Sequence, residues 1–70
     1  MREGKYVIFT DGSARVFKKH YVHAWMAGGK PACSAGYFRK MNGKVECYGE
    51  SGTLGIKSRE DDAEIIESYL

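Results

Sequence analysis

Two histidines three positions apart are the first groups in this sequence that could do chemistry together. His20 and His23 would lie on one face of a helix, where two imidazoles can share a metal ion. Two ligands do not complete a site, and the others would have to come from a carboxylate or from Cys33. The segment also lacks the glutamate base and the longer histidine spacing of zinc proteases. We therefore expect solvent-facing or capping histidines, no metal and no cofactor.

The two cysteines, Cys33 and Cys47, are the only thiols that could act as nucleophiles. Cysteine catalysis needs a lowered thiol pKa, a neighbouring base and an oxyanion site, and no part of the sequence arranges these three. Alternation along the second predicted hairpin places Cys47 on its apolar face and, if the strand is unbroken, Cys33 on the opposite face. The sequence therefore predicts two free thiols rather than a disulfide.

An aspartate at the end of the first predicted strand is the sharpest catalytic candidate. The stretch Ile8-Phe9-Thr10-Asp11-Gly12-Ser13 resembles the first strand of the ribonuclease H family, in which Asp before Gly-Ser is a metal-binding carboxylate. The resemblance implies that Asp11 and an acid of the last helix, Glu60 or Glu64, would bind paired magnesium ions. The sequence departs from the family by inserting a helix after Phe17 and stopping before the family's fourth strand. Because Asp-Gly is also a common hairpin turn, the residues themselves favour Asp11 as a turn residue.

Aromatic and cationic side chains interleave on the outer face of the second predicted hairpin. Such surfaces bind single-stranded nucleic acid by stacking and phosphate contact, although Glu46 and Glu50 on the same face would repel phosphate. Tyrosine and arginine are equally typical of protein interfaces. We therefore predict an interaction surface here or on the preceding helix, formed by Tyr37, Arg39, Tyr48 and Trp25, with Lys44 beside it.

The elements that position these groups begin with two hairpins. Lys5 to Thr10 and Ser13 to Phe17 flank a two-residue Asp-Gly turn, which would place Phe9 opposite Ala14. In that register one face of the hairpin carries Val7, Phe9, Ala14 and Val16, and the other carries Tyr6, Ile8, Arg15 and Phe17.

The second hairpin turns at Asn42-Gly43, where both residues tolerate the positive φ of a type I′ turn. Gly36 and Gly49 then come opposite each other, which favours a close backbone approach. A short fifth strand could follow over Thr53 to Lys57. The predicted register pairs Met41 with Lys44, Arg39 with Glu46, Phe38 with Cys47 and Tyr37 with Tyr48.

Two helices complete the expected order. Lys18 to Ala27 should form a helix that ends at Gly28-Gly29 and packs an aromatic face inward. Ser58 to Leu70 should form a second helix with Ser58 as its N-cap and acids in its first turn. The inward residues are predicted to be Phe17, Tyr21, Val22, Trp25 and Met26 for the first helix, and Ala63, Ile65, Ile66, Tyr69 and Leu70 for the second.

These elements predict a single α+β domain over residues 1–70, in the order ββαββα, with an antiparallel sheet of four or five strands. Residues 1–57 carry ten Lys/Arg against four acids, whereas residues 58–70 carry one Arg against five acids. We interpret this asymmetry as an acidic helix packed across a basic sheet. The longest apolar run, Tyr6 to Phe9, is far shorter than the roughly 20 residues of a membrane span, so we expect no membrane partner and a cytoplasmic location.

A more diffuse resemblance covers the C-terminal half. Ser34-Ala35-Gly36, then Gly49-Glu50-Ser51 with Leu54-Gly55, then Ser58-Arg59 with Asp62-Ala63-Glu64 resembles small uncharacterised proteins of bacterial phages, prophages and integron cassettes. It implies a bacterial mobile-element origin and no assigned chemistry. Two functions remain as hypotheses. The first is a non-enzymatic interaction module that associates with itself or with a protein partner. The alternative is a nucleic-acid-binding protein or a ribonuclease H-like metal-dependent nuclease.

Overall fold

The computed structural model describes residues 2–70, which form one four-stranded antiparallel sheet with elements packed on both of its faces. The sheet has the strand order β2-β1-β3-β4, and β5 and β6 form a separate two-stranded sheet. In chain order the elements are β1 (Glu3–Phe9), β2 (Ala14–Phe17), α1 (His23–Ala27), β3 (Ala32–Met41), β4 (Lys44–Tyr48), β5 (Glu50–Ser51), β6 (Ile56–Lys57) and α2 (Asp62–Glu67).

The α+β class and the four-stranded sheet are confirmed, but the element order is only partly the predicted one. The expected fifth strand over Thr53 to Lys57 shortens to β6 and pairs with β5 instead of joining the main sheet. A tight turn separates the two, in which the Gly55 amide donates to the Ser51 carbonyl over 2.9 Å and Gly55 has φ +69°. This turn holds the short strands as a small hairpin of their own.

The register of the first hairpin differs from the prediction by one residue. The loop has three residues, because the Phe9 amide donates to the Ser13 carbonyl and the Gly12 amide donates to the Phe9 carbonyl. Gly12 takes φ +89°, which is the geometry of a type I turn followed by a glycine bulge. Ile8 therefore faces Ala14, and every side chain of β2 lies on the face opposite to the one predicted.

The sheet carries a hydrophobic cluster on each face. The face covered by α2, here called the α2 face, buries Tyr6, Ile8, Phe38, Val45 and Ile66. The other face, here called the α1 face, buries Val7, Phe9, Phe17, Ala27 and Ala35, with β6 and Leu54 packed against them. Because both faces of β1 are covered, its core residues form a continuous apolar run rather than an alternating one.

The first helix begins five residues later than predicted. Val22 is extended (φ −87°, ψ 134°), so α1 spans only His23–Ala27, while its end at left-handed Gly28 is as expected. If the helix began earlier, the positive charges of Lys18 and Lys19 would lie at the positive end of the helix dipole, which is unfavourable. The shorter helix avoids this. The predicted inward face was only partly right, because Phe17 is buried and Met26 packs against the α1-face cluster, whereas the Trp25 side chain is 72% exposed.

The C-terminal helix is shorter than predicted, and Ser58 does not cap it. α2 spans Asp62–Glu67, and the Ser58 hydroxyl donates instead to the Gly49 carbonyl over 2.9 Å. The side chain that binds a backbone amide at the start of this segment is Asp62, whose Oδ2 accepts the Arg59 amide over 2.8 Å. Ile66 is fully buried as expected, whereas Tyr69 and Leu70 lie beyond the helix and are exposed.

The second hairpin has the predicted register throughout, with left-handed Asn42 and Gly43 at its turn. The close approach of Gly36 to Gly49 is also confirmed, because a Cβ on Gly36 would lie 2.5 Å from the Tyr48 carbonyl oxygen. Both thiols are free. The prediction that the two cysteines lie on opposite faces was wrong. A bulge beside Ile8 shifts the register, and both cysteines pack against the α2-face cluster.

Candidate interaction surface

An exposed group of aromatic and apolar side chains covers part of the α1 face and the segment that leads into α1. We call it the aromatic surface. It contains two parallel ring pairs: Tyr21 on Trp25, with centroids 6.1 Å apart, and Tyr37 on Tyr48, with centroids 5.9 Å apart. Val22, 47% exposed, lies beside the first pair in sequence and adds apolar area. The predicted residues Tyr48 and Trp25 are therefore exposed, and Tyr37 is half-buried, together with two exposed neighbours, Tyr21 and Val22, that were expected to be buried.

The Tyr37–Tyr48 pair is positioned by the sheet itself. Phe17, Lys5, Tyr37 and Tyr48 form one cross-strand row through β2, β1, β3 and β4. Lys5 and Tyr48 consequently flank Tyr37 from opposite sides, and the Lys5 ammonium lies 5.7 Å from the Tyr37 ring centroid. A cross-strand row of this kind keeps the side chains in contact without help from loops.

Lys5 also ties the sheet to the Trp25 segment. Its Nζ donates to the Tyr21 carbonyl over 2.8 Å while it lies near the Tyr37 ring. One lysine thus connects the two ring pairs. Sequence reasoning missed this role, because the contact joins residues 16 positions apart.

The two histidines have different positions and are not brought together as metal ligands. His20 is exposed and its ring lies 4.2 Å from the Tyr21 ring centroid. His23 is buried under α1, where its Nε2 donates to the Gly36 carbonyl over 2.9 Å. Burial lowers the pKa of His23, and its ring packs edge-on against Phe17 and Tyr37. His23 therefore supports the aromatic surface from beneath as a neutral imidazole.

A groove of about 260 Å³ is part of the aromatic surface. Its lining includes Val22, His23, Tyr37, Glu50 and Thr53. The Thr53 hydroxyl also accepts the Ala24 amide over 3.2 Å, which attaches the β5–β6 turn to α1. The surface therefore combines flat exposed rings with a concavity that a partner's side chain could enter.

Arg39 lies at the other end of the aromatic surface. Its guanidinium is 5.4 Å from the Tyr48 ring centroid and 3.3 Å from the Glu46 carboxylate. The ion pair is exposed and contributes little to stability, but it holds the arginine next to the ring and neutralises its charge. Arg39 is therefore better suited to cation–π contact and packing than to holding a phosphate on this face.

Asp11 and Glu64, the carboxylates of the ribonuclease H-like hypothesis, lie in separate elements. Asp11 Oδ1 accepts the Ser13 amide and hydroxyl, and Oδ2 lies 2.8 Å from the Lys30 ammonium. The hydrogen bond from Lys30, with those from Ser13, lowers the pKa of the Asp11 carboxyl. Glu64 is exposed on α2. Residues 2–70 contain no group of three or more His, Cys, Asp or Glu side chains placed to hold a metal ion.

A buried polar network lies on the α2 face and was missed by sequence reasoning. Asp62 is 2% exposed and accepts the Tyr6 hydroxyl on Oδ2 and the Ser34 hydroxyl on Oδ1, the latter over 2.9 Å. Burial raises the pKa of the nearby Cys47 thiol to about 11, so this thiol is protonated at neutral pH. The network is enclosed, and its geometry suits a structural role rather than a reaction with a ligand from solvent.

Comparison with known proteins adds no relative. No protein-family model matches the chain, and no curated protein or solved structure matches it at a significant level. The resemblances to ribonuclease H and to mobile-element proteins therefore stay predictions. Within the described part of the chain, no helix is long and apolar enough to cross a membrane.

Proposed function

We propose that this protein is a non-enzymatic interaction module that binds a protein through its aromatic surface, with a second copy of the chain as the first partner to test. The observation that carries the proposal is the exposure of Trp25, at 72%, beside exposed Tyr21 and Val22. Tryptophan and tyrosine are enriched where protein interfaces gain most of their free energy. A five-residue helix that presents tryptophan to solvent leaves apolar area that a partner would cover.

The geometry of the tyrosine pair supports a protein partner over single-stranded nucleic acid. Base stacking needs an open aromatic face. Tyr37 has Tyr48 on one side and Lys5 on the other, so the Tyr37 ring has no open face for a base. The Tyr48 side chain is 39% exposed, and a tyrosine combines an apolar ring with a hydroxyl that suits packing and hydrogen bonding in a protein interface.

Light scattering on size-separated protein over a range of concentrations tests self-association. We expect a mass that rises with concentration, and a loss of that rise in Trp25→Ser and in Tyr48→Arg. Leu70→Ser is the matched control, because Leu70 is an exposed apolar residue outside the aromatic surface. Its association should equal that of the natural sequence. Each variant should fold, since exposed substitutions change stability by about 0.5 kcal/mol or less.

Even weak affinities are detected at about millimolar concentration. If all four proteins have a monomeric mass up to that concentration, the proposal of self-association is overturned. Equal loss in Leu70→Ser would instead show that general apolar exposure, not the aromatic surface, drives association. A protein partner of another sequence would be supported only if its binding were abolished by Trp25→Ser and retained by Leu70→Ser.

A further inference from the structure

The end of the sheet that contains the start of β1 and the tip of the β3–β4 hairpin has different charge patterns on its two faces. On the α1 face, Lys19 pairs with Glu3 over 3.3 Å, and Arg39 pairs with Glu46 over the same distance. Glu3 lies directly opposite Arg39 in the β1–β3 register. Charges of alternating sign therefore follow one another across this face and neutralise each other.

On the α2 face of the same end, two cations lie opposite each other. The Lys40 amide donates to the Arg2 carbonyl over 2.6 Å, which extends the β1–β3 register one residue beyond Glu3. The side chains of directly opposed residues share a face, and like charges placed directly opposite each other destabilise an antiparallel pair. Within residues 2–70 neither cation has a carboxylate within ion-pair distance. This like-charge pair lacks the compensation found on the other face.

Two concavities meet at these cations. One of about 560 Å³ extends toward Met41 and is bordered by Glu3 and Arg39, which pair with other residues. The other, of about 350 Å³, extends toward Gly43. Arg2, Lys40 and Asn42 line both. A planar guanidinium fork, a compact ammonium and an amide donor match the several acceptor oxygens of a phosphate group.

We propose that Arg2, Lys40 and Asn42 form a binding site for a phosphate group, carried by inorganic phosphate or a small phosphomonoester. The bound dianion would lie between the two cations and replace their repulsion by attraction. This site is on a different part of the molecule from the aromatic surface, so the proposal stands apart from the proposed function.

Thermal unfolding in chloride and in phosphate at equal ionic strength gives a distinctive test. In dilute sodium chloride, Lys40→Gln should melt at a higher temperature than the natural sequence, because the repulsion is removed. In sodium phosphate the natural sequence should gain melting temperature and Lys40→Gln should not. Lys57→Gln is the matched control, because Lys57 is an exposed cation outside both concavities, and it should gain as the natural sequence does.

Titration with inorganic phosphate, watched by amide NMR, locates the site. The amides of Lys40, Asn42 and Gly43 should shift together, with binding about tenfold weaker in Lys40→Gln, as expected for loss of one charge-assisted hydrogen bond. Adenosine monophosphate distinguishes the ligands: tighter binding than phosphate indicates a phosphomonoester, and equal binding indicates the free anion. Equal gains in melting temperature for the natural sequence and Lys40→Gln, or no shift of these amides at tens of millimolar phosphate, would overturn the proposal.

Discussion

The two faces of the central sheet use polar and aromatic groups in opposite ways. On the α2 face, a buried tyrosine hydroxyl and a serine hydroxyl both donate to one aspartate, Asp62, under a closed apolar layer. On the α1 face, tyrosine and tryptophan rings stack on one another in contact with solvent. The same sheet therefore encloses its polar side chains on one face and exposes aromatic rings on the other.

The difference shows how buried and exposed side chains are separated in a chain of this size. A domain of about 70 residues buries only about 60% of the surface of its unfolded chain, so it has little apolar area to spare. Every buried side-chain nitrogen and oxygen in the described residues has a hydrogen-bond partner. Within residues 2–70, Trp25 is the most exposed of the large apolar side chains. We therefore expect substitutions on the two faces to have different consequences.

Removing the carboxylate of Asp62 should have the largest effect on stability. In Asp62→Ala the buried Tyr6 and Ser34 hydroxyls lose their acceptor, which we expect to reduce the free energy of unfolding by about 3 kcal/mol. Urea unfolding measures this. Asp61→Ala removes the neighbouring exposed acid, which makes no side-chain capping bond, and should cost about 0.5 kcal/mol or less. Equal losses in the two variants would contradict the separation of the faces.

If Asp62→Ala does not fold, Asp62→Asn keeps the shape and one acceptor oxygen. This variant should retain cooperative unfolding with a smaller loss. An Asn variant as stable as the natural sequence would show that the carboxylate charge contributes nothing to the network.

A methyl group at Gly36 should have the next largest effect, because this glycine precedes Tyr37 and packs closely against the backbone at Tyr48 and Gly49. The added Cβ would lie 2.5 Å from the Tyr48 carbonyl oxygen, so β4 must move. We expect Gly36→Ala to cost about 2 kcal/mol and to disturb the tyrosine pair, measured by urea unfolding and by tyrosine ring NMR shifts. Gly52→Ala, where the added group meets open space, should be neutral or slightly stabilising. Similar losses at both positions would refute the close approach.

The two faces should also respond to opposite ends of the pH scale. On the α2 face, burial raises the pKa of the Cys47 thiol from its ordinary 9.0 to about 11, and burial with the bond to Asp62 raises that of Tyr6. Since the folded state keeps both groups protonated, their stabilisation is complete below pH 9 and falls as the pH rises toward 11. On the α1 face, burial lowers the pKa of His23 below its ordinary 6.5, so its stabilisation is complete above that pH and falls below it. Melting temperatures measured across this range should show both declines.

Single variants assign each decline to its face. Cys47→Ala should reduce the alkaline decline and leave the acid one, whereas His23→Gln, which keeps a donor for the Gly36 carbonyl, should do the reverse. We expect these substitutions to change the free energy of unfolding less than those at Asp62 or Gly36. The pKa of each group differs by only a limited amount between the folded and unfolded states. An acid decline unchanged by His23→Gln would assign it to other groups.

The sequence predictions were most accurate for features that depend on residues close together in the chain. The Asn-Gly hairpin has its predicted register from Met41 through Tyr48, because two residues that accept positive φ determine a two-residue turn. The Asp-Gly hairpin was predicted with the same rule and was wrong by one residue. There the Asp11 side chain accepts the Ser13 amide, and the loop widens into a glycine bulge that the dipeptide alone does not specify.

The placement of the side chains of the aromatic surface was partly anticipated for a similar reason. Alternation along the second hairpin places Tyr37, Arg39 and Tyr48 on one outer face, and the structure has them there. Helical periodicity placed Trp25 and Tyr21 inward, because it assumed a helix from Lys18 that the extended Val22 prevents. A five-residue helix is too short for periodicity to determine which of its sides is buried.

The sequence by itself determined the four strands of the main sheet, the second turn, the end of α1 at Gly28 and the acidic character of the C-terminal segment, since each depends on neighbours within a few positions. Tertiary structure decided the rest. Asp62 is buried because Tyr6 and Ser34, 56 and 28 residues away, bring donors to it, and Lys5 links Tyr21 in the β2–α1 loop to Tyr37 on β3. The Arg2–Lys40 pair likewise exists only because β1 and β3 are antiparallel neighbours. Such pairings depend on which strands meet, and that choice minimises the free energy of the whole chain rather than of any one segment.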